Sequence, residues 1–274
     1  MNNKDATIEA NTIVNLFKSQ NFDKAITKGK QFIKKFPSAL AIYNVIGLSF
    51  SNKRDNKSAI YYFKLALQID PFFISTINNL GNSYKALGDF KEAKKQFDKA
   101  FKLNPKYFTT LINLGSYNRD INKGEEAIQF YLKGLEIKKD ISVYFALSLV
   151  LASVGKKKEA KIYMEKIIEL SPEFIPPQAY MVDYLKPNEE ESYIKKIKSI
   201  LKKENLSISD KILLTFALGK AYEKLKDFKN ASLNYKQGNE IKDNSLNIDI
   251  KRDIKQFKLI TDYFTNISFD KIKL

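Results

Sequence analysis

The 274-residue chain has no cysteine and no histidine. Without cysteine there is no disulfide and no thiolate chemistry. Without either residue the usual zinc ligands and the commonest general base are missing. Nucleophilic triads and metal-assisted hydrolysis are therefore not expected, and neither catalytic residues nor cofactors are assigned. Glycine and proline are also few, 10 and 7, so turns are sparse and helices are favoured over a sandwich or barrel. The first residues, Met1-Asn-Asn-Lys-Asp-Ala-Thr, contain no apolar core of a signal peptide. The longest apolar stretch, Ile141 to Val154, is shorter than the ~20 residues a membrane span needs. Ser142, Ser148 and Ser153 interrupt it, so it reads as a buried helix in a cytoplasmic protein with no membrane partner.

What is present is ordinary for a folded chain: 44% hydrophobic residues make disorder untenable. The excess of 47 Lys and Arg over 31 Asp and Glu gives a formal charge of +16. Such a balance fits nucleic acid or an acidic surface, or the solvated, Lys-rich exterior of helices in a protein from an AT-rich genome. The basic residues recur along every helix and form no block, which favours the second reading and leaves a nucleic-acid-binding solenoid as the weaker alternative.

Pro37, Pro71 and Pro105 lie 34 residues apart, and a common pattern precedes the last two. Units that start at Leu40 and Ile74 carry Tyr43/Ile77, Ile46/Leu80, Gly47/Gly81, Phe50/Tyr84, Ala59/Ala93, Phe63/Phe97, Ala66/Ala100 and Pro71/Pro105 in the same order. This pattern resembles the tetratricopeptide repeat. The resemblance implies an all-α, right-handed superhelical solenoid of antiparallel helix pairs. Small residues at places 8 and 20 of the repeat let the two helices of a pair approach. Large ones at places 4, 7, 11 and 24 fill the space between them, and Pro at place 32 ends the second helix.

Other units are looser. The first, from Ala6, keeps Leu16, Ala25, Phe32 and Pro37 but has Ile13 at the glycine place. The fourth, from Phe108, keeps Leu111, Leu114, Gly115, Ala127 and Tyr131. The fifth, from Ile141, comes one residue early and keeps Tyr144, Leu147, Ala160, Met164 and Pro172, with Ser148 for glycine. Residues 1–172 thus read as five repeats and 173–206 as a degenerate helix pair. In that pair Pro176-Pro177 and Pro187 bracket a short helix. Asn188 reads as an N-cap, with Glu189-Glu190-Glu191 as an acidic first turn. Residues 207–245 form a further repeat, with Thr215, Leu218, Gly219, Tyr222, Ala231 and Tyr235. Residues 246–274 form a capping helix, striped by Ile250, Ile254, Phe257, Ile260 and Phe264, and a tail.

The tetratricopeptide resemblance implies that each first helix presents places 2, 5, 6, 9, 12 and 13 to a ligand groove. Those places hold Asn44, Asn78, Asn79, Asn82, Lys85, Asn113, Ser116 and Arg119. An amide donates and accepts at once, as a peptide backbone does. The strip resembles the asparagine ladder of the repeat region of O-GlcNAc transferase, which grips an extended peptide. The alternative is that these amides bond within the solenoid. The carboxylate clamp of chaperone-binding relatives is not expected, because Asn78, Ser142 and Ala146 stand where its cations belong. In the fifth unit Phe145 and Leu149 make the helix apolar nearly all round, so either later units cover it or a partner docks there.

The stretch Phe216-Ala-Leu-Gly-Lys-Ala-Tyr-Glu, with Asp227-Phe228, Ala231, Tyr235 and Gly238-Asn239, is similar to the last repeat of bacterial sulfotransferases that carry an N-terminal repeat region. The family's Pro-Arg-Ser-Gly-Thr phosphosulfate loop is absent from these residues. The resemblance therefore implies a non-catalytic, substrate-positioning arm whose partner would be a sulfotransferase catalytic domain. Two functions remain on the sequence alone: a scaffold for a peptide or partner protein, and that arm.

Overall fold

The computed structural model describes residues 3–245, all helical apart from turns. The stripe from Ile250 to Phe264 lies outside them. The chain divides into two compact units, Met1–Leu170 and Ser171–Leu274.

The first unit holds five helix pairs: α1 (Asn3–Lys18) with α2 (Phe22–Lys35), α3 (Leu40–Asn52) with α4 (Asn56–Ile69), α5 (Ile74–Ala86) with α6 (Phe90–Leu103), α7 (Phe108–Asp120) with α8 (Gly124–Ile137), and α9 (Ile141–Ser153) with α10 (Lys157–Leu170). Each second helix also packs on the first helix of the next pair, and successive first helices touch along the whole row. Each inner pair is thus covered by a neighbour on both sides, which is how a solenoid closes its core repeat by repeat.

The packing within a pair follows from place 8. A Cβ on Gly47 would lie 2.5 Å from the Phe63 ring, on Gly81 2.6 Å from Phe97, and on Gly115 2.6 Å from Tyr131. No side chain fits there, so the aromatic at place 24 lies flat on bare backbone and is fully or almost fully buried. The loose pairs change both places together. In the fifth, Ser148 replaces glycine and faces the flexible Met164, to which its hydroxyl lies at 3.5 Å. In the first, the large and small residues trade positions, with Ile13 fully buried at place 8 and Gly29 at place 24.

Each first helix ends alike. Gln20, Arg54, Gly88, Asn122 and Gly155 adopt positive φ, between 60° and 85°. The next residue donates its N–H back across the turn, as in Asp55 to Phe50 O at 3.0 Å and Asp89 to Tyr84 O at 3.0 Å. This is a Schellman closure. Asp55 and Asp89 then cap the following helix by accepting the N–H of Ser58 and Glu92. Both ends of one turn are thus satisfied by two adjacent residues.

The second unit holds α11 (Ile175–Tyr180), a 3₁₀ turn (Met181–Tyr184), α12 (Glu190–Leu201), α13 (Ile208–Lys224) and α14 (Phe228–Ser245). The pair α13/α14 repeats the plan, with a Gly219 Cβ 2.6 Å from Tyr235, Lys226 at φ 61° and Asp227 capping Asn230. Its core gathers Ile175, Ala179, Val182, Tyr193, Ile197, Leu214 and Leu218.

Two local expectations are corrected. Pro176 and Pro177 stand inside the first turn of α11, where a missing N–H costs nothing, and do not precede it. Asn188 is not the N-cap of α12. It takes φ 74°, and Glu189 follows as the cap residue while its carboxylate accepts the Lys186 N–H at 2.8 Å. The helix α13 begins at Ile208, capped by Ser207, and is longer than the first helices of the other pairs.

Candidate functional site

The first helices α3, α5 and α7 lie side by side and carry all eight expected groove residues. Neighbouring helices place equivalent positions opposite one another, so residues about 34 apart meet. Asn44 Oδ1 accepts from Thr76 Oγ1 and from Asn79 Nδ2, both at 3.0 Å. Asn82 Nδ2 donates to Asn113 Oδ1 at 3.3 Å, and Asn113 Nδ2 donates to Asn78 Oδ1 at 3.0 Å. Asn78 Nδ2 in turn donates to Thr110 Oγ1 at 2.8 Å and to Ile74 O at 3.1 Å. Polar side chains thus stitch three helices across their width.

This geometry corrects one assignment. Asn78 is 0% exposed, with its amide used on both sides, so it presents nothing to a ligand. At place 5 of α5 the side chain lies in the seam with α7 and helix-to-helix bonding consumes it, whereas Asn44, at place 5 of α3, accepts from α5 and keeps its donor. Asn44, Asn79, Asn82 and Asn113 are half-buried beside it. Asn113 spends both ends of its amide on α5. Asn44 Nδ2, Asn79 Oδ1 and Asn82 Oδ1 have no bonded partner among the described residues.

The strip ends in a charge cluster. Lys85 Nζ donates to Ser116 Oγ at 2.7 Å and to Asp120 Oδ2 at 2.8 Å, while Arg119 reaches Asp120 Oδ1 at 2.8 Å. Partial burial works against the Asp120 charge. The hydrogen bonds from Lys85 and Arg119 outweigh it and hold the carboxyl below its ordinary range. One carboxylate between two cations leaves a single positive charge at this end. Thr76, Thr110 and Asp120 were not among the expected residues. The two threonines share place 3, 34 residues apart, and that spacing was the available signal.

Phe145 and Leu149 are half-buried on α9, whose Val143, Tyr144, Leu147, Val150 and Leu151 are buried in contacts with α7, α8 and α10. Among the described residues no group of three or more acidic side chains could hold a metal. No helix there is long and apolar enough to cross a membrane.

Models of the tetratricopeptide repeat match residues 14–72, 75–107, 108–141, 141–174 and 216–245. Among curated proteins no sequence matches. Among solved structures, a tetratricopeptide repeat protein from Parabacteroides merdae is 16% identical with a TM-score of 0.63, over 87% of this chain and 93% of its own. The pilF protein of Pseudomonas aeruginosa is 17% identical with a TM-score of 0.62, over 71% and 91%. A thermophilic repeat protein of Thermus thermophilus is 17% identical with a TM-score of 0.57, over 64% and 96%. At these identities the likeness concerns the fold. The family models cover more than half of the residues and fall on the helix pairs described above, so the chain belongs to the tetratricopeptide repeat family.

Proposed function

We propose that the chain is a protein-interaction scaffold that holds an extended peptide across α3, α5 and α7. The observation that carries this reading is the leftover hydrogen-bonding capacity of the strip. Asn44 offers a donor, and Asn79 and Asn82 offer acceptors, on helices joined by the bonds of Thr76 to Asn44 and of Asn78 to Thr110. A peptide main chain presents the complementary alternation of C=O and N–H. Because the amides are held by their neighbours before a ligand arrives, little side-chain freedom remains to be lost on binding. Lys85, Ser116 and Arg119 border the strip with one uncompensated positive charge, which suits a peptide without a basic residue at that end. Phe145 and Leu149, further along the same row of first helices, extend the surface with an apolar patch for a side chain of the ligand or partner domain.

The test is a peptide selected on the wild-type protein from a random library, measured by calorimetry against Asn79→Ala/Asn82→Ala. Each hydrogen bond lost is worth about 1 kcal/mol net, so affinity falls by about tenfold or more for the pair. Circular dichroism should stay unchanged. If every selected peptide keeps its affinity for the variant, the strip is not the site. Leu149→Asp is expected to weaken peptides that carry an apolar end and to spare those that do not.

The substrate-positioning arm of a sulfotransferase is the other reading. Its residues, Phe216 to Asn239, fall within 216–245, which a model of the tetratricopeptide repeat matches. Both readings share that match, and the open hydrogen-bonding groups of the strip favour the scaffold.

A further inference from the structure

We propose that the second helices carry another docking surface, independent of the asparagine strip: a basic groove beside Phe72 and α6 that takes an acidic segment of a partner protein with apolar anchors. Lys91, Lys94, Lys95, Lys99 and Lys102 of α6 line an open cavity of about 740 Å³ with Phe72 and Leu103 at its edges. Asp98 engages Lys94 at 2.5 Å and Glu92 lies 3.8 Å from Lys95. No ion pair among the described residues engages Lys91, Lys99 or Lys102. The groove therefore holds more cations than the chain itself compensates.

Phe72 is 66% exposed, and its N–H donates to the Asp70 carboxylate at 2.9 Å, which holds its backbone in the turn between α4 and α5. Leu103, 39% exposed, also lines the cavity. One repeat later only the apolar edge recurs: Phe101, Pro105, Leu111 and Ile137 line a groove of about 440 Å³ with Lys106, Lys133 and Glu136, where Lys106 stands at the place of Phe72 and Glu136 at that of Lys102. Leu103 and Ile137 stand 34 residues apart at the same place of their repeats. Apolar anchors rimmed by charge are the pattern of a protein interface. The cations are all lysine and the anchors are mostly aliphatic. That combination suits carboxylates interspersed with Leu or Phe better than a phosphate backbone or a headgroup layer.

The test uses fluorescence anisotropy with a fluorescein-labelled peptide of alternating Glu and Leu around a central Phe, and its Gln-for-Glu counterpart. Wild type is expected to bind the acidic peptide, more weakly as salt rises, and to bind the Gln peptide several-fold less. Lys99→Glu/Lys102→Glu lowers affinity about tenfold or more through like-charge repulsion. Lys102→Glu alone and Phe72→Ser, both at exposed positions that leave the core intact, lower it several-fold. Asn79→Ala/Asn82→Ala leaves it unchanged, so this surface and the strip fail separately. Oligouridylate and phosphatidylserine vesicles are the competing probes. The proposal is overturned by absence of binding, by equal affinity of the α6 variants, or by either competitor binding more tightly than the peptide.

Discussion

Arg54 stands with φ at 63° where Gly88 and Gly155 meet the same need freely. A side chain with a Cβ costs roughly 1 kcal/mol in this conformation, more than the entropy that glycine adds to the unfolded chain. Arg54→Gly is therefore expected to raise stability by about 0.5–1 kcal/mol in urea denaturation. A lower midpoint would show that the Arg54 side chain contributes something the turn geometry does not reveal. The opposite sign applies at Gly81, where an added methyl would press into the Phe97 ring. Gly81→Ala should lose about 1–3 kcal/mol by overpacking. The pair Gly81→Ser/Phe97→Met, which copies the Ser148 and Met164 combination of the fifth pair, should recover part of that loss, and additive losses in a double-mutant cycle would refute the coupling. The glycine and aromatic places were both legible in the sequence. Their direct contact was not, because a repeat pattern marks which places recur in size without saying which one touches which.

Between elements, the seam from α5 to α7 rests on Asn78, whose amide joins Thr110 and Asn113. Asn78→Ala leaves the buried Thr110 hydroxyl without its Asn78 partner and is expected to cost about 1–3 kcal/mol, more than Asn82→Ala, which removes one bond to the half-buried Asn113. Equal losses for the two variants would mean the seam is not held by this residue. Asp120 gives the same seam a pH dependence. Its folded-state value lies below the ordinary 3.8, so its contribution is present above that value and fades as pH falls through the lower one. Asp55, Asp140 and Asp227, held by their cap hydrogen bonds, shift in the same direction. Thermal melts of wild type should fall more steeply below about pH 4 than those of Asp120→Asn. Parallel curves would exclude Asp120. The candidate strip could be read from spacing down to its helices, whereas the burial of Asn78 could not. Place 5 faces a groove or a seam according to how closely neighbouring first helices approach.

For the whole molecule, contacts run mainly between adjacent helices, so a disturbance should stay local. Ile197 is fully buried in the core of the second unit. Ile197→Ala is expected to cost about 2–5 kcal/mol and to speed hydrogen exchange in α12 and α13. The amides of α3 to α8 should keep their protection. Equal loss of protection in those helices would mean that the chain unfolds as one cooperative block.

The amino-acid order by itself determined the helix pairs, their 34-residue period and the family. Those follow from local periodicity and from the size of the residues at places 8, 20, 24 and 32, which any chain with this pattern must pack in the same way. Two other things were decided only in three dimensions. One is which amides are spent on holding α3, α5 and α7 together and which keep a free valence. The other is that Phe72, the α6 lysines and Leu103 share one groove. Both depend on distances between side chains some thirty residues apart, set by the approach of neighbouring helices and carried by no local segment.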